Sequence, residues 1–222
     1  MPENRNKNLS EFKNLKFEGS FNLALEIFEK LFSNLNKKAV IYINTESNIE
    51  KSVTYNELCQ NYNKFINFLR SKNIKKGANI YVMFPSIVEQ RYIMFGALKA
   101  GYTIMPTAPN ITEYELKFRF QNDGPNVPIL DYDGSAKIKK ASNNNPSKLI
   151  VGQSDSWKNI DDIPTFPGMV EPEKLCKDVI VIKYFTSGTT SMPKNLETAR
   201  SINENVKNLL LILVSLLWNY MQ

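Results

Sequence analysis

The chain has no histidine and only two cysteines among its 222 residues. Without histidine there is no Ser-His or Cys-His nucleophile and no ordinary zinc site. Cys59 and Cys176 stand far apart, with no Cys-x-x-Cys spacing, which speaks against a metal cluster and for two reduced thiols in a cytosolic chain. The first fourteen residues are polar and mixed in charge, so no signal peptide is expected and the expected location is cytoplasmic. The lysines are dispersed, and no basic stripe interleaved with aromatics marks a nucleic-acid surface. The longest apolar run, Leu209 to Trp218, falls well short of the roughly twenty residues that span a bilayer. No second glycine precedes Lys194, which excludes a Walker-type phosphate loop.

What remains is ordinary in bulk: 42% hydrophobic and 23% charged residues, enough for a sizeable core in one large domain or two small ones. The net charge of +6 fits a mildly basic surface or an attraction for anionic ligands. Apolar residues at helical spacing (Leu23, Ile27, Phe28, Leu31, Leu35) predict a helix over 21–35, and Ala39 to Ile43 reads as a strand. Thr54 with Glu57 is a capping box and starts a helix to about Lys72. Ile80 to Phe84 reads as a buried strand. Ser86 with Glu89 opens a further helix that ends at Gly101 as a C-cap. Tyr102 to Met105 is a short strand, and Thr112 with Glu115 caps a helix to about Asn122. Val127 to Leu130 and Leu149 to Val151 are strands flanking the loop Ser142 to Pro146. Residues 153–177 read mostly as loop, and Val179 to Ile182 as a buried strand. Strands alternating with helices predict an α/β fold of layered sheets with flanking helices.

The most informative segment follows that last strand: Tyr184-Phe185-Thr186-Ser187-Gly188-Thr189-Thr190-Ser191-Met192-Pro193-Lys194-Asn195. Gly188 permits close backbone approach to an anion. Successive N–H groups and hydroxyls can line a concave anion site, and Lys194 adds a point charge. The chemistry suits a polyphosphate. The bland alternative is a Ser/Thr-rich turn making local hydrogen bonds.

This segment resembles the phosphate loop of the AMP-forming adenylate-forming superfamily, Thr-Ser-Gly-Thr-Thr-Gly-x-Pro-Lys-Gly. Thr186 to Thr190, Pro193 and Lys194 match, and the opening Tyr-Phe is similar to the medium-chain acyl-CoA synthetase branch. Ser191 and Asn195 stand where most members have glycine; a positive φ at Ser191 would cost about 1–2 kcal/mol. Ala97 to Tyr102, followed by Pro106 and Pro109, also looks like the family's early core motif, and Val53 to Leu58 like its usual helix start. The resemblance runs from about residue 20 to about residue 200.

The resemblance implies the incomplete N-terminal part of the adenylate-forming fold: a polar segment 1–20, a partial adenylation domain 21–200, and an apolar tail 201–222. It implies ATP, Mg2+ and CoA as cofactor, metal and co-substrate, and a carboxylic acid as substrate. Thr186, Ser187, Gly188, Thr189, Thr190, Ser191 and Lys194 would hold the phosphates, with Lys194 also catalytic. The chain itself supplies no metal ligand: the family's adenine-contacting aromatic, magnesium-holding Glu, ribose-binding Asp, hinge and catalytic Lys of the small domain all lie downstream of the matched segment. Asp131, Asp133, Asp161 and Asp162 read as solvated acids. The tail departs from the family pattern and reads as a shifted frame or truncation near residue 200, alternatives being a buried C-terminal helix or a membrane-interacting tail. Open sheet edges and that tail predict self-association. Function stays open between an acyl-CoA synthetase fragment, a non-catalytic remnant or split-enzyme subunit, and a simple nucleotide-binding module.

Overall fold

The computed structural model describes residues 22, 35–44, 48–84, 88–122, 127–130, 134, 137–138, 149–150, 158–159, 163, 166–171, 173, 180–186 and 194–199. The expected helix over 21–35 (apart from Asn22 and Leu35), the Ser86 end of the capping box expected with Glu89, Cys176, the four aspartates named above and the tail after residue 200 lie outside the described residues.

Strand β1 (Lys38–Asn44) turns through Asn48, at φ 52°, into the antiparallel strand β2 (Ile49–Thr54). Asparagine tolerates that left-handed turn better than most residues. The charged sequence Ile49-Glu-Lys-Ser-Val-Thr does not read as a strand on its own; pairing with β1 makes it one.

The hairpin hands over to helix α1 (Tyr55–Ser71) through the expected capping box. Thr54 Oγ1 accepts from the Glu57 N–H at 3.2 Å, and Glu57 Oε2 accepts from the Thr54 N–H at 2.8 Å. The Thr54 N–H first, and then the Thr54 hydroxyl donating to Glu57 Oε2 at 2.8 Å, hold the Glu57 carboxyl below its ordinary pKa. Thr54→Ala is expected to cost about 1 kcal/mol in urea denaturation, with Thr54→Ser retaining most of it. An unchanged midpoint for alanine would show that the cap is decorative.

Helix α1 ends in a Schellman motif with an asparagine in the left-handed position. Asn73 sits at φ 59°, its N–H donates to Arg70 O at 2.9 Å, and the Ile74 N–H donates to Leu69 O at 3.2 Å. Helix α2 (Val88–Lys99) ends the same way at Gly101, φ 73°. Gly101 N–H donates to Leu98 O and Tyr102 N–H to Ala97 O. The expected C-cap is therefore in place, although the helix proper stops at Lys99. Helix α3 (Glu113–Asn122) starts at the third capping box, Thr112 with Glu115.

Between these helices run β3 (Asn79–Met83), β4 (Thr103–Pro106), β5 (Val127–Leu130), β6 (Leu149–Ile150), β7 (Lys158–Asn159), β8 (Ile180–Thr186) and β9 (Lys194–Ala199). They form one sheet in the order β7-β6-β5-β3-β4-β8-β9. Every pairing is parallel except β8 with β9. Strand β7 falls in the stretch read as loop. β9 was not expected either.

Side chains of the central strands alternate between two cores. Ile80, Val82, Ile104, Val127 and Ile129 face α1 and α2, meeting Tyr62, Phe65, Ile66, Leu69 and Leu98. Tyr81, Met83, Met105 and Leu130 pack on the other side with Ile111, Leu116 and Ile138. This period of two, with helices covering both sides, is what a buried parallel sheet requires.

Pro167, Gly168 and Met169 are fastened along α1 by side-chain amides. Asn63 Nδ2 donates to Gly168 O at 3.0 Å, and Asn67 Nδ2 donates to Pro167 O at 2.8 Å and Met169 O at 3.2 Å. Phe166 meets Phe68 edge-on at 5.5 Å between ring centroids. Arg70 and Glu173 form an ion pair at 2.7 Å. The buried Asn22 closes the layer, donating from Nδ2 to Lys99 O at 2.8 Å and Glu173 O at 3.0 Å.

Candidate functional site

Strand β8 is longer than the apolar run that announces it, continuing through Tyr184 and Phe185 to Thr186. These three residues, expected in the loop, are strand because β9 pairs with them: Tyr184↔Leu196, Phe185↔Asn195 and Thr186↔Lys194. Thr186 and Lys194, the two ends of the site motif, are thereby opposite each other across a ladder. Ser187, Gly188, Thr189, Thr190 and Ser191, with Met192 and Pro193, lie outside the described residues.

The place of this hairpin in the sheet matters. Strands β3, β4, β5 and β8 run parallel, so their carboxyl ends share one edge. In open α/β sheets that edge is where ligands bind. Thr186, the last residue of β8, and its partner Lys194 lie at that edge.

Beside it lies a group of polar side chains inside the second core. Arg119, on α3, donates from Nη1 to Thr107 Oγ1 at 3.1 Å and holds its guanidinium 4.9 Å from the centre of the Phe185 ring. The Thr107 N–H donates to Val82 O at 2.9 Å, tying the end of β4 to β3. The Tyr81 hydroxyl is buried next to Thr107 and Arg119, within their electrostatic reach, yet neither offers it a hydrogen bond of good geometry. Burial pushes the Tyr81 phenol up to about 12, the neighbouring Thr107 and Arg119 offsetting part of that rise. Sequence reading missed Arg119. The signal available was its position three residues after the buried Leu116, which places a charge on the apolar face of α3.

A cleft of about 500 Å³ opens elsewhere, on the α1 side, where Cys59, Asn63, Lys99 and Val170 are among its walls. Lys99 is 2% exposed. Its Nζ donates to Asn63 Oδ1 at 2.9 Å and lies 5.3 Å from the centre of the Tyr62 ring. These contacts explain a buried cation as part of the packing between α1 and α2. The Tyr62 hydroxyl donates to Cys59 Sγ at 3.2 Å, and Cys59 is half-buried and in no disulfide.

Among the described residues no three His, Cys, Asp or Glu side chains gather to hold a metal ion. Among the same residues no helix is long and apolar enough to cross a membrane.

A sequence profile described as AMP-binding enzyme matches residues 29–209, and the chain belongs to that family of adenylate-forming enzymes. It is 29% identical over 187 residues to 4-hydroxybutyrate–CoA ligase 1 of Metallosphaera sedula, covering 79% of this chain and 31% of that protein. It is 27% identical over 180 residues to an uncharacterized acyl–CoA ligase of Bacillus subtilis, covering 79% of this chain and 33% of that one. The chain thus spans about a third of the length of these relatives. Among solved structures, acetoacetyl-CoA synthetase from Streptomyces lividans superposes with a TM-score of 0.74 at 16% identity, covering 82% of this chain and 31% of that one. The anthranilate CoA ligase AuaEII in complex with anthranoyl-AMP gives 0.72 at 17% identity, covering 83% and 36%. The α/β fold with a parallel sheet and flanking helices is the fold of these ligases. Enzymes of the family use ATP, Mg2+ and CoA in general.

Proposed function

We propose that this chain is the phosphate-gripping part of an AMP-forming acyl-CoA synthetase, covering the partial adenylation domain 21–200. The observation that carries the reading is the Thr186↔Lys194 pair, which sets the two ends of the hydroxyl- and glycine-bearing sequence opposite each other at the carboxyl edge of a parallel sheet. In the reaction of such synthetases a carboxylate oxygen attacks the α-phosphorus of ATP, and the bond to pyrophosphate breaks. The thiol of CoA then displaces AMP to give the thioester. The acid is already ionised at neutral pH, so the first step needs no general base and the missing histidines are no handicap. What it needs is positioning and neutralisation of the charge that accumulates on departing pyrophosphate.

That is the task we assign to Ser187, Gly188, Thr189, Thr190 and Ser191, with Thr186 at the near end of the turn and Lys194 at the far end. Lys194 is a point charge that can follow the β- and γ-phosphates, and a charge-assisted hydrogen bond from it contributes about 1.5–3 kcal/mol. Lys194→Ala is therefore expected to weaken MgATP binding at least tenfold in isothermal titration calorimetry. Equal affinity for both proteins, or no binding by the unmodified chain, removes the assignment.

A second reading is favoured by the chain spanning about a third of its relatives. On that reading it binds nucleotide without completing the reaction, alone or until another chain supplies the rest of the site. Acid-dependent exchange of labelled pyrophosphate into ATP separates the two: present for a working synthetase, absent for a binding part.

A further inference from the structure

Arg119 is a charged side chain of α3 whose contacts join the ends of two strands of the sheet, β4 and β8. Through Thr107 it touches the exit of β4, through the Phe185 ring the end of β8, and it lies within electrostatic reach of the buried Tyr81 hydroxyl on β3. Its Nε is buried without a hydrogen-bond partner, a costly arrangement for a guanidinium held only to fill space. Phe185 directly precedes Thr186, whose partner across the ladder is Lys194. A planar, always-charged group can lie flat against a ring and donate from its edge at the same time, a geometry that the compact ammonium of a lysine does not reproduce.

We propose that Arg119 is a positioning residue for the phosphate-gripping turn: by bracing Phe185 against Thr107 it fixes where β8 gives way to that turn, a role that rests on the reading of the turn given above. It touches no phosphate itself. Its effect travels through two packed residues to the Thr186↔Lys194 pair, so its loss loosens one corner of the sheet and leaves the rest in place.

The test is amide hydrogen exchange on the full chain, with Arg119→Met, Arg119→Lys, Phe185→Leu and the double variant Arg119→Met with Phe185→Leu. Exchange in Val181 to Thr186 and in β9 is expected to rise about tenfold in each single variant, lysine included, while β3 and β5 stay as they were. The double variant should rise no further than either single one, because both remove the same contact. In parallel, the dissociation constant for MgATP should rise about tenfold in Arg119→Lys with little change in melting temperature. Unchanged exchange at β8 and β9 overturns the proposal. So does an equal rise in β3 and β5, which would make Arg119 a general staple, or a lysine variant that matches the original protein. If the unmodified chain binds no MgATP, the reading of the turn fails, and the exchange result still decides whether Arg119 braces β8.

Discussion

Replacing Gly96 with leucine is expected to abolish cooperative folding, and even alanine there should lower stability by about 1–2 kcal/mol. In an exposed helix a Gly-to-Ala change gains up to about 1 kcal/mol. Here the sign reverses because α1 lies directly against α2. A Cβ on residue 96 would sit 2.8 Å from Phe65 Cδ1 and 2.9 Å from the Tyr62 carbonyl oxygen. The first neighbour is a ring buried to 0% exposure, and the second is main chain that cannot rotate away. Relief requires the two helices to separate, and overpacking of this kind costs about 1–3 kcal/mol for small additions. A leucine adds three more heavy atoms to the same gap, against a total stability that for a domain is only about 5–15 kcal/mol. Gly168 is the control. A Cβ there meets Gln60 at 3.7 Å, ordinary contact, so Gly168→Ala should be near neutral. Urea denaturation followed by far-ultraviolet circular dichroism decides it; a Gly96→Ala midpoint equal to or above the original refutes the close approach of the helices.

Alkaline unfolding is the second large effect. Tyr81 and Tyr102 are almost fully buried, and burial raises both phenols to about 12 in the folded chain. In the unfolded chain they ionise near 10. Between those values the unfolded state loses its phenolic protons first, so it binds fewer protons than the folded state, and stability falls as pH rises. The stabilisation is fully present below pH 10 and is lost toward pH 12. For Tyr81 two units correspond to roughly 3 kcal/mol. Tyr81→Phe should therefore flatten the fall above pH 10. At neutral pH it should be near neutral or slightly stabilising, because the hydroxyl it removes has no hydrogen-bond partner. Tyr102→Phe should behave differently at neutral pH, since its hydroxyl donates to Ile74 O at 3.0 Å and that bond is lost. Urea titrations at intervals from pH 8 to 11.5 measure the slope. A flat profile in the original protein would contradict the burial of both rings.

Much of the fold is written in local chemistry. The Thr54 and Thr112 boxes mark the starts of α1 and α3 because the side chains that satisfy the free N–H groups are adjacent in sequence. Val127 to Leu130 is visible as an apolar run because it is buried on both faces. Gly101 is visible because the left-handed position it occupies excludes most other residues. What escaped local reading depends on pairing at a distance. The sequences of β2, Ile-Glu-Lys-Ser-Val-Thr, and β9, Lys-Asn-Leu-Glu-Thr-Ala, have little strand character of their own. They are strands because β1 and β8 present open ladders to them.

The site divides in the same way. Its chemistry, four hydroxyls around Gly188 with Lys194 beyond, is legible without coordinates. Its framing is not. That Thr186 and Lys194 oppose each other follows from β9, and that Arg119 leans on Phe185 follows from a fold that joins residues 66 positions apart (119 and 185).

The order of strands in the sheet has a consequence for the birth of the protein. Strand β4 pairs with β8 through Ile104 and Ile182, residues separated by 78 positions (182 minus 104). On the ribosome, β3, α2 and β4 can come together early, but the outer edge of β4 has no neighbour until residue 182 has been added. At about 5–20 residues per second that interval is roughly 4–16 s. For those seconds a buried strand, Thr103 to Pro106, stands open on one side in a crowded cell. An unpaired strand edge of this kind makes the growing chain prone to aggregate, so synthesis rate and chaperone supply bear on how much of it reaches its folded form.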